Sequence, residues 1–324
     1  MTTPQRNFFR PLLAVLATIL ILAPGAAAQL DSLTIMAPAA PGGGWDQTSR
    51  AMQQVLRRSR LLRAVQVVNV PGAGGTIGLA QLVNTHKGDG SLLMTMGLIM
   101  VGAVLTNQSP VTLAEATPIA RLTDEYELLV VPNSSPHRTL ADFLKGWKAD
   151  PGAFAIAGGS AGGTDHMLAG LLAKETGIDV HKVNFVPHSG GGESIASLLG
   201  GHVAAGINGT GELLSFVESG SLRALAISSE QRLPGLDVPT FVEQGVDLAL
   251  SNWRGVAAAP GISAPQRAAL TELIRKMHAT PAWKEVLQKN NWIDMYQDGP
   301  AFESFLRTEN QRAAAVLQSI GLVE

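Results

Sequence analysis

The sequence predicts an α/β protein in two domains joined by two crossing strands. Three observations support this fold class: a repeated unit of strand, glycine-containing loop and helix, two apolar runs that bracket the middle of the chain, and a composition suited to a packed core. Of the 324 residues, 46% are hydrophobic and 15% are charged, which is typical of a globular protein. The formal net charge of −2 argues against a nucleic-acid-binding protein.

The first 28 residues have the pattern of a cleavable secretory signal peptide. Arg6 and Arg10 precede an apolar run over residues 11–24, and an A-x-A cleavage motif ends at Ala28. The run is too short for a good membrane-spanning helix. We therefore expect cleavage after Ala28 and a mature chain that begins at Gln29 in the bacterial periplasm. The chain contains no cysteine, which excludes disulfides, a thiol nucleophile and any Cys-containing zinc site.

The strand–loop–helix unit recurs along most of the chain, with β-rich runs that end in glycine and helical periodicity that follows. Six units are predicted, each given as strand, loop and helix: 33–37, 41–44 and 46–58; 65–70, 71–75 and 76–85; 91–96, 97 and 98–105; 154–157, 158–163 and 164–176; 183–186, 187–192 and 193–199; 204–207, 208–211 and 212–218. This alternation indicates parallel sheets with helices on both faces. Residues 264–324 are predicted to form helices, with Pro265 near the first start and Pro281 before the next.

Two apolar runs suggest how the chain divides into domains. YELLVVPNSS at 126–135 and NWRGVAAAPG at 252–261 each have the pattern of a strand that ends in a turn. If both strands cross between domains, residues 126–252 form one domain. Residues 29–125 and 253–324 then combine into the other.

The glycine loops are predicted to bind a small carboxylate. In open α/β sheets, ligands bind beyond the carboxyl ends of the strands, where helix N-termini present unpaired N–H groups and the positive end of the helix dipole. None of the six loops contains Lys or Arg, whereas a nucleotide phosphate loop ends in a lysine. A neutral set of N–H groups and hydroxyls suits one or two carboxylates. The alternative is that each glycine only allows a tight strand-to-helix turn.

Other polar residues near the loops have competing explanations. Asp46 either caps the first helix or pairs with Arg50 one turn later. Trp45 either packs as a lid on the first domain or covers the apolar part of a ligand at the cleft mouth. Glu193 and Glu212 lie at predicted helix starts, where capping explains their charge.

The seven histidines show no spacing typical of a zinc site, and we expect no metal. His166 and His188 flank glycine loops, where each can reach a ligand. Ser160 lies close to His166, but GGSAGG does not match G-x-S-x-G, and a serine triad needs a placed acid as well. We therefore expect neither a catalytic residue nor a cofactor.

Five segments together resemble the substrate-binding proteins of tripartite tricarboxylate transporters, also called TctC or Bug-type periplasmic receptors. They are APAAPGGGWDQTSRAM, VNVPGAGGTIGL, IAGGSAGGTDHMLAGLL, FVPHSGGGESIASLLGGHVAAGINGTGEL and WRGVAAAPG. Their order and spacing extend over nearly all of the mature chain. The resemblance implies a two-domain periplasmic-binding-protein fold of type II, with two hinge strands and a ligand cleft between the domains.

The resemblance also implies which loop residues contact the ligand: Pro41, Gly42, Gly43, Gly44, Trp45, Asp46, Gly75, Thr76, Ser160, Gly163, Thr164, Ser189, Gly190 and Asn208. The flanking His166 and His188 complete the predicted site. The form with three glycines and a tryptophan is more similar to the tricarboxylate branch of the family than to the amino-acid branch. Citrate or a related di- or tricarboxylate is the expected ligand.

The resemblance implies a role in transport. The protein is expected to be a monomer without enzymatic activity that delivers its ligand to the membrane permease subunits of a tripartite tricarboxylate transporter. Two alternatives remain open at this point. One is a periplasmic enzyme on the same kind of fold, and the other is a ligand-sensing partner of a signalling protein.

Overall fold

The computed structural model describes residues 1–2 and 30–324, so the predicted signal peptide lies outside the described residues apart from its first two positions. The strands are β1 Ser32–Ala37, β2 Ala64–Asn69, β3 Leu92–Gly97, β4 Thr117–Pro132, β5 Ile156–Gly158, β6 Phe185–Pro187, β7 Ala205–Gly209, β8 Leu222–Ile227, β9 Ser251–Ala258 and β10 Ile293–Asp298. The helices are α1 Gly44–Arg58, α2 Thr76–Thr85, α3 Leu98–Thr106, α4 Leu140–Ala149, α5 Thr164–Glu175, α6 Gly191–Leu199, α7 Thr210–Glu218, α8 Ala264–His278, α9 Pro281–Asn290 and α10 Gly299–Ser319.

The six predicted strand–loop–helix units are confirmed, with ends that differ by a few residues. The first unit shows why the pattern succeeds. In α1, Met52, Val55 and Leu56 are buried on one face while Arg57 and Arg58 extend from the last turn, and β1 is buried at most of its positions. Helical and strand periodicities of burial therefore follow one another along this part of the sequence.

The strands form one mixed sheet in the order β2-β1-β3-β9-β4-β7-β5-β6, with β8 and β10 also paired to β4. The pairs within each half, β1 with β2 and β3 and β5 with β6 and β7, are parallel as predicted. The expectation of parallel sheets is wrong at β4 and β9, which run antiparallel to their neighbours. Strand β4 carries the chain from one half to the other and β9 carries it back, so the two lie side by side in opposite directions.

Strand β4 belongs to both halves of the sheet. Residues 117–126 pair with β9 and residues 127–130 pair with β7. The chain returns between β8 and β9, where the Ser228 N–H donates to Glu127 O at 2.9 Å and the Leu250 N–H donates to Ser228 O at 2.9 Å. The two passages of the chain between the halves thus lie side by side.

The sequence pattern predicts only helices for residues 264–324, and this prediction is wrong for one short segment. Residues Ile293–Asp298 form β10, which pairs antiparallel with β4 and shifts register between Asp294 and Gln297. Its side chains are half-buried or exposed and several are polar. A short strand of this kind lacks the apolar alternation that identifies a strand in a sequence.

Strand β9 is anchored by Trp253. This side chain is 1% exposed, donates from its indole N–H to Glu309 at 2.9 Å and packs edge-on against Phe302 and Phe305 of α10. Since neighbouring residues of a strand face opposite sides of the sheet, the next side chain, Arg254, is directed away from α10.

Candidate functional site

A polar cavity lies where the glycine loops of the two halves of the sheet meet. Residues from the first loop, the loops after β2, β5 and β6, helix α7 and strand β9 all line it. They are Pro38, Ala39, Gly43, Gly44, Trp45, Gly72, Gly74, Gly75, Ile99, Gly159, Ser160, Asp165, Ser189, Gly190, Gly191, Asn208, Glu212, Asn252 and Arg254. The volume of the cavity is about 40 Å³.

The small volume follows from direct contact between loops across the cavity. The Ala40 N–H donates to Ser189 O at 3.4 Å. A Cβ atom added to Gly43 would lie 3.5 Å from the Cα atom of Gly190. The structure therefore shows the loops of the two halves in contact across the cavity.

Six helices begin at this cavity, and the N-cap residue of each is a glycine. The caps are Gly43, Gly75, Gly97, Gly163, Gly190 and Gly209, and none of them forms a side-chain capping hydrogen bond. The first N–H groups of a helix have no partner within the helix. They carry the positive end of the helix dipole, which favours a bound anion.

Glycine is required at two of the positions around the cavity. A Cβ atom at Gly44 would collide with the Arg254 guanidinium. Gly75 has a φ of +87°, in the left-handed region, and a Cβ atom there would lie 2.7 Å from the Trp45 ring. Both glycines thus allow close packing of backbone against a cavity side chain.

Asp46 shapes the first loop and does not line the cavity. Its Oδ2 accepts hydrogen bonds from the Gly42 N–H at 2.8 Å and from Arg50 Nε at 2.9 Å, and its Oδ1 accepts one from Asn69 at 2.8 Å. Burial alone would raise the pKa of Asp46, but the hydrogen bonds from Arg50, Gly42 and Asn69 lower it below its ordinary value. The predicted pairing with Arg50 is confirmed.

Trp45 forms part of the cavity wall. Its side chain is only 5% exposed, because the ring packs against Gly75 and Met100 while its Nε1 atom lies near Gly97. The expectation that it lies at the mouth of the cleft is therefore wrong. Among the described residues, none accepts a hydrogen bond from the Trp45 indole N–H.

The structure brings half of the predicted ligand residues to the cavity and places the other half around it. Gly43, Gly44, Trp45, Gly75, Ser160, Ser189, Gly190 and Asn208 line the cavity. Pro41, Gly42, Asp46, Thr76, Gly163, Thr164, His166 and His188 do not. Several of the second group still hold the loops or helix starts that form the wall.

The two histidines have structural surroundings. The His166 ring stacks on Phe185 with a centroid distance of 4.2 Å, and its Nδ1 accepts the Gly162 N–H at 3.1 Å. Burial lowers the pKa of His166 to about 4, so the ring is neutral at pH 7. His188 Nδ1 lies 3.2 Å from Gly158 O, and its side chain borders an adjoining surface pocket that shares Gly74, Ser160 and Ser189 with the cavity. Neither lines the cavity, contrary to the expectation from their positions.

A guanidinium also lines the cavity, although the loops contain no Lys or Arg. Arg254 of β9 is 2% exposed and forms an ion pair through Nη2 with Glu125 Oε1. Trp292 donates from its indole N–H to the other oxygen of Glu125 at 2.9 Å. The prediction of an uncharged cavity is therefore wrong, but the cation is already paired with a buried anion.

Three further carboxyls surround this ion pair. Asp165 is 4% exposed and accepts the Gly159 N–H at 2.5 Å and the Asn208 amide at 3.3 Å. Burial and the charge of Glu125 raise the pKa of Asp165 to about 7 and that of Glu212 to about 8. Glu127 is fully buried, and neither of its carboxyl oxygens has a hydrogen-bond partner among the described residues. Burial, Asp165 and Glu125 raise its pKa well above the ordinary value.

Sequence reasoning missed these charged residues for identifiable reasons. Arg254 and Glu125 lie within strands whose apolar neighbours suggested structural connections. Asp165 falls between Thr164 and His166, both of which were predicted, and Glu212 was explained as a helix cap. A charged residue inside an otherwise apolar connecting strand was the signal that could have identified Arg254.

Within residues 1–2 and 30–324, no helix is sufficiently long and apolar to span a bilayer. No group of three or more His, Cys, Asp or Glu side chains in that part of the chain has an arrangement suited to a metal ion.

The chain is similar to known proteins along almost all of its length. Residues 48–322 match the family model described as the tripartite tricarboxylate transporter family receptor, TctC. The protein BugT of Bordetella pertussis is 30% identical over 322 residues, which cover 96% of this chain and 97% of BugT.

Solved structures share the fold. MatC from Rhodopseudomonas palustris with bound malate is 22% identical, with a TM-score of 0.79 over 88% of this chain and 98% of MatC. A second R. palustris protein, with adipate, is 20% identical, with a TM-score of 0.82 over 90% and 97% of the two chains. The mixed α/β architecture is thus that of the periplasmic binding proteins. The chain belongs to the TctC family of periplasmic solute-binding receptors.

Proposed function

We propose that this receptor captures a small carboxylate in the cavity and delivers it to the permease subunits of a tripartite tricarboxylate transporter. The observation that carries the proposal is the convergence of six glycine-capped helix starts on one cavity. Their N–H groups are suited to carboxylate oxygens, because a helix start offers both hydrogen-bond donors and a positive dipole. We propose that the protein reaches the periplasm by cleavage of the signal peptide after Ala28 and acts there as a monomer.

The same proposal includes two domains that close on the ligand. Residues 29–125 and 253–324 form one domain, residues 126–252 form the other, and β4 and β9 carry the hinge. The pairing of β4 with β9 at 117–126 and with β7 at 127–130 supports this division. The contact between Ala40 and Ser189 then closes the cleft.

The ligand is a di- or tricarboxylate, with malate, adipate and citrate as candidates. The structures of MatC with malate and of the R. palustris protein with adipate support a dicarboxylate. Asn208, Ser160 and the Trp45 indole N–H supply polar groups beside the helix starts. The cavity wall formed by Trp45 and Ile99 suits the short carbon chain between the carboxylates.

The experiment is a thermal-shift screen followed by titration calorimetry with malate, succinate, adipate and citrate. A ligand that binds only the folded state at 100 times its Kd stabilises that state by about 2.7 kcal/mol, so at least one carboxylate is expected to raise the melting temperature by several degrees. The corresponding diamides are the matched controls and are expected to leave it unchanged. The proposal fails if no carboxylate binds, or if the diamides stabilise the protein equally.

A further inference from the structure

The charges around the cavity do not balance if every group is ionised. Asp165 and Glu212 line the cavity together with Arg254, and no other Lys, Arg, His, Asp or Glu among the described residues does so. Glu125 and Glu127 lie behind them on β4 and are 1% and 0% exposed. Four carboxyls therefore share a single guanidinium.

That guanidinium is already neutralised by one carboxyl. Arg254 forms an ion pair with Glu125, whose second oxygen accepts the Trp292 N–H. Asp124 precedes Glu125 in the chain, but it forms its own ion pair with Arg121 at 2.6 Å. No cation of the described chain remains for Asp165, Glu212 and Glu127.

The surroundings of Glu127 indicate that at least one of these four carboxyls is protonated. Its charged neighbours are Asp165, Glu125, Glu212 and Arg254, and both of its oxygens are buried without a hydrogen-bond partner. Burying an ionised carboxylate without a partner is very unfavourable, so such a group remains protonated. Asp165 accepts hydrogen bonds from Gly159 and Asn208, and the half-buried Glu212 accepts one from the Gly191 N–H, yet burial and the charge of Glu125 still raise the pKa of both. Adjacent carboxyls in one site of low dielectric do not all ionise together.

The arrival of a ligand carboxylate increases this imbalance. The anion enters a cavity whose walls already contain two carboxyls, and repulsion would oppose its binding if both were ionised. A protonated carboxyl instead donates an O–H hydrogen bond to a carboxylate, and such charge-assisted bonds are short and strong. The six helix starts supply donors around the same space.

We propose that Asp165 and Glu212 contact the ligand carboxylate in their protonated state, so that ligand capture takes up protons from solvent. This inference rests on the proposed function. The ligand enters as an anion, the protein gains the protons, and the complex carries one negative charge less for each proton gained. Asp165 and Glu212 are thus binding residues that couple the affinity for a carboxylate to pH.

The direction of the pH dependence follows from linkage. Where the complex binds one proton more than the free protein, affinity falls about tenfold for each unit of rising pH. The pKa values of about 7 and 8 for Asp165 and Glu212 place this fall above neutrality. Below pH 6 the affinity of a ligand whose own carboxylates remain ionised is expected to be constant.

The test is titration calorimetry of the full receptor at pH 6, 7, 8 and 9, in buffers of different ionisation enthalpy, using the panel carboxylate that gives the largest thermal shift. Since both carboxyls contribute, we expect the number of protons taken up to exceed one at pH 8 and to approach two at pH 9, with a loss of affinity of about a hundredfold or more between pH 7 and 9. Unchanged affinity over this range, or release of protons, overturns the inference. If no carboxylate binds at any pH, the proposed function itself fails.

Two amide variants distinguish the titration of these carboxyls from the hydrogen bond that each donates to the ligand. Glu212→Gln and Asp165→Asn retain an N–H donor where the protonated acid has an O–H, but neither amide titrates. Each is expected to bind at pH 9 more tightly than the native protein and to reduce proton uptake. Glu218→Gln, on the exposed end of α7, is the matched control and should behave as the native chain. If one amide variant does not fold, the other variant and the native proton count decide the question.

Discussion

The helices that begin at the cavity and those that begin elsewhere have different N-cap residues. Away from the cavity, α4, α8 and α9 start after Thr139, Ser263 and Thr280, and each side chain accepts a hydrogen bond from a first-turn N–H. The exception is α10, which starts after Asp298 without a side-chain cap. At the cavity, all six caps are glycines without such a bond. A capped helix start contributes to stability, whereas a start without a side-chain cap suits an anion. Two first-turn donors at the cavity are already used by carboxyls of the protein, since the Gly191 N–H of α6 donates to Glu212 and the Gly211 N–H of α7 donates to Glu125. We expect the remaining donors at the cavity to serve binding, whereas the capped starts serve stability.

The substitution with the largest expected effect on stability is at Arg254, the guanidinium that lines the cavity. Arg254→Met removes the partner of Glu125 and leaves a buried carboxylate unpaired, which is expected to reduce the free energy of unfolding by about 3–5 kcal/mol at pH 8. Burial already raises the pKa of Glu125, and loss of Arg254 raises it further. The folded chain then binds this proton more tightly than the unfolded chain, so the loss is smaller at pH 5.

Urea unfolding at both pH values measures this difference. Arg232→Met is the control, because Arg232 pairs with Asp237 and Glu243 at the exposed surface and its loss should have a much smaller effect. Equal destabilisation by the two variants at pH 8 would show that the buried pair has no special role.

The next prediction converts an uncapped helix start into a capped one. Gly43 has φ −71° and ψ 162°, which suits a serine N-cap, and a Cβ atom there has its closest contact at 3.3 Å with Ala40 O. In Gly43→Ser the hydroxyl competes with the ligand for the first N–H groups of α1. Carboxylate affinity is expected to fall about tenfold, the equivalent of one hydrogen bond, while stability changes by only a few tenths of a kcal/mol. Calorimetry that showed native affinity in a folded Gly43→Ser protein would remove α1 from the site.

At a capped helix start, we expect a substitution to change stability and leave carboxylate affinity unaltered. Ser263 accepts the Gln266 N–H at the start of α8, so Ser263→Ala should lower the free energy of unfolding by about 1 kcal/mol. Carboxylate affinity should remain that of the native protein. If the affinity falls with the stability, the two groups of helix starts are not functionally distinct.

Much of the fold followed from periodicity, whereas the chemistry at the cavity depended on tertiary contacts. Strand–helix alternation predicted the units around Gly43, Gly75 and Gly190 because local burial patterns define them. The direction in which Asp165 and Glu212 extend depends on where a helix starts, and a shift of one residue turns a side chain by about 100°. Arg254 faces the cavity only because Trp253 packs on α10, a contact between segments that no local pattern indicates.

The most direct measurement is a ¹H–¹⁵N correlation spectrum of the receptor, recorded with and without the bound carboxylate. The account predicts large shifts of the backbone N–H signals in the first turns of α1, α2, α3, α5, α6 and α7. It predicts little change in the first turns of α4, α8 and α9, where side chains already accept these hydrogen bonds. Shifts of equal size in both groups, or shifts confined to the surroundings of Arg254, would contradict the claim that uncapped helix starts hold the ligand.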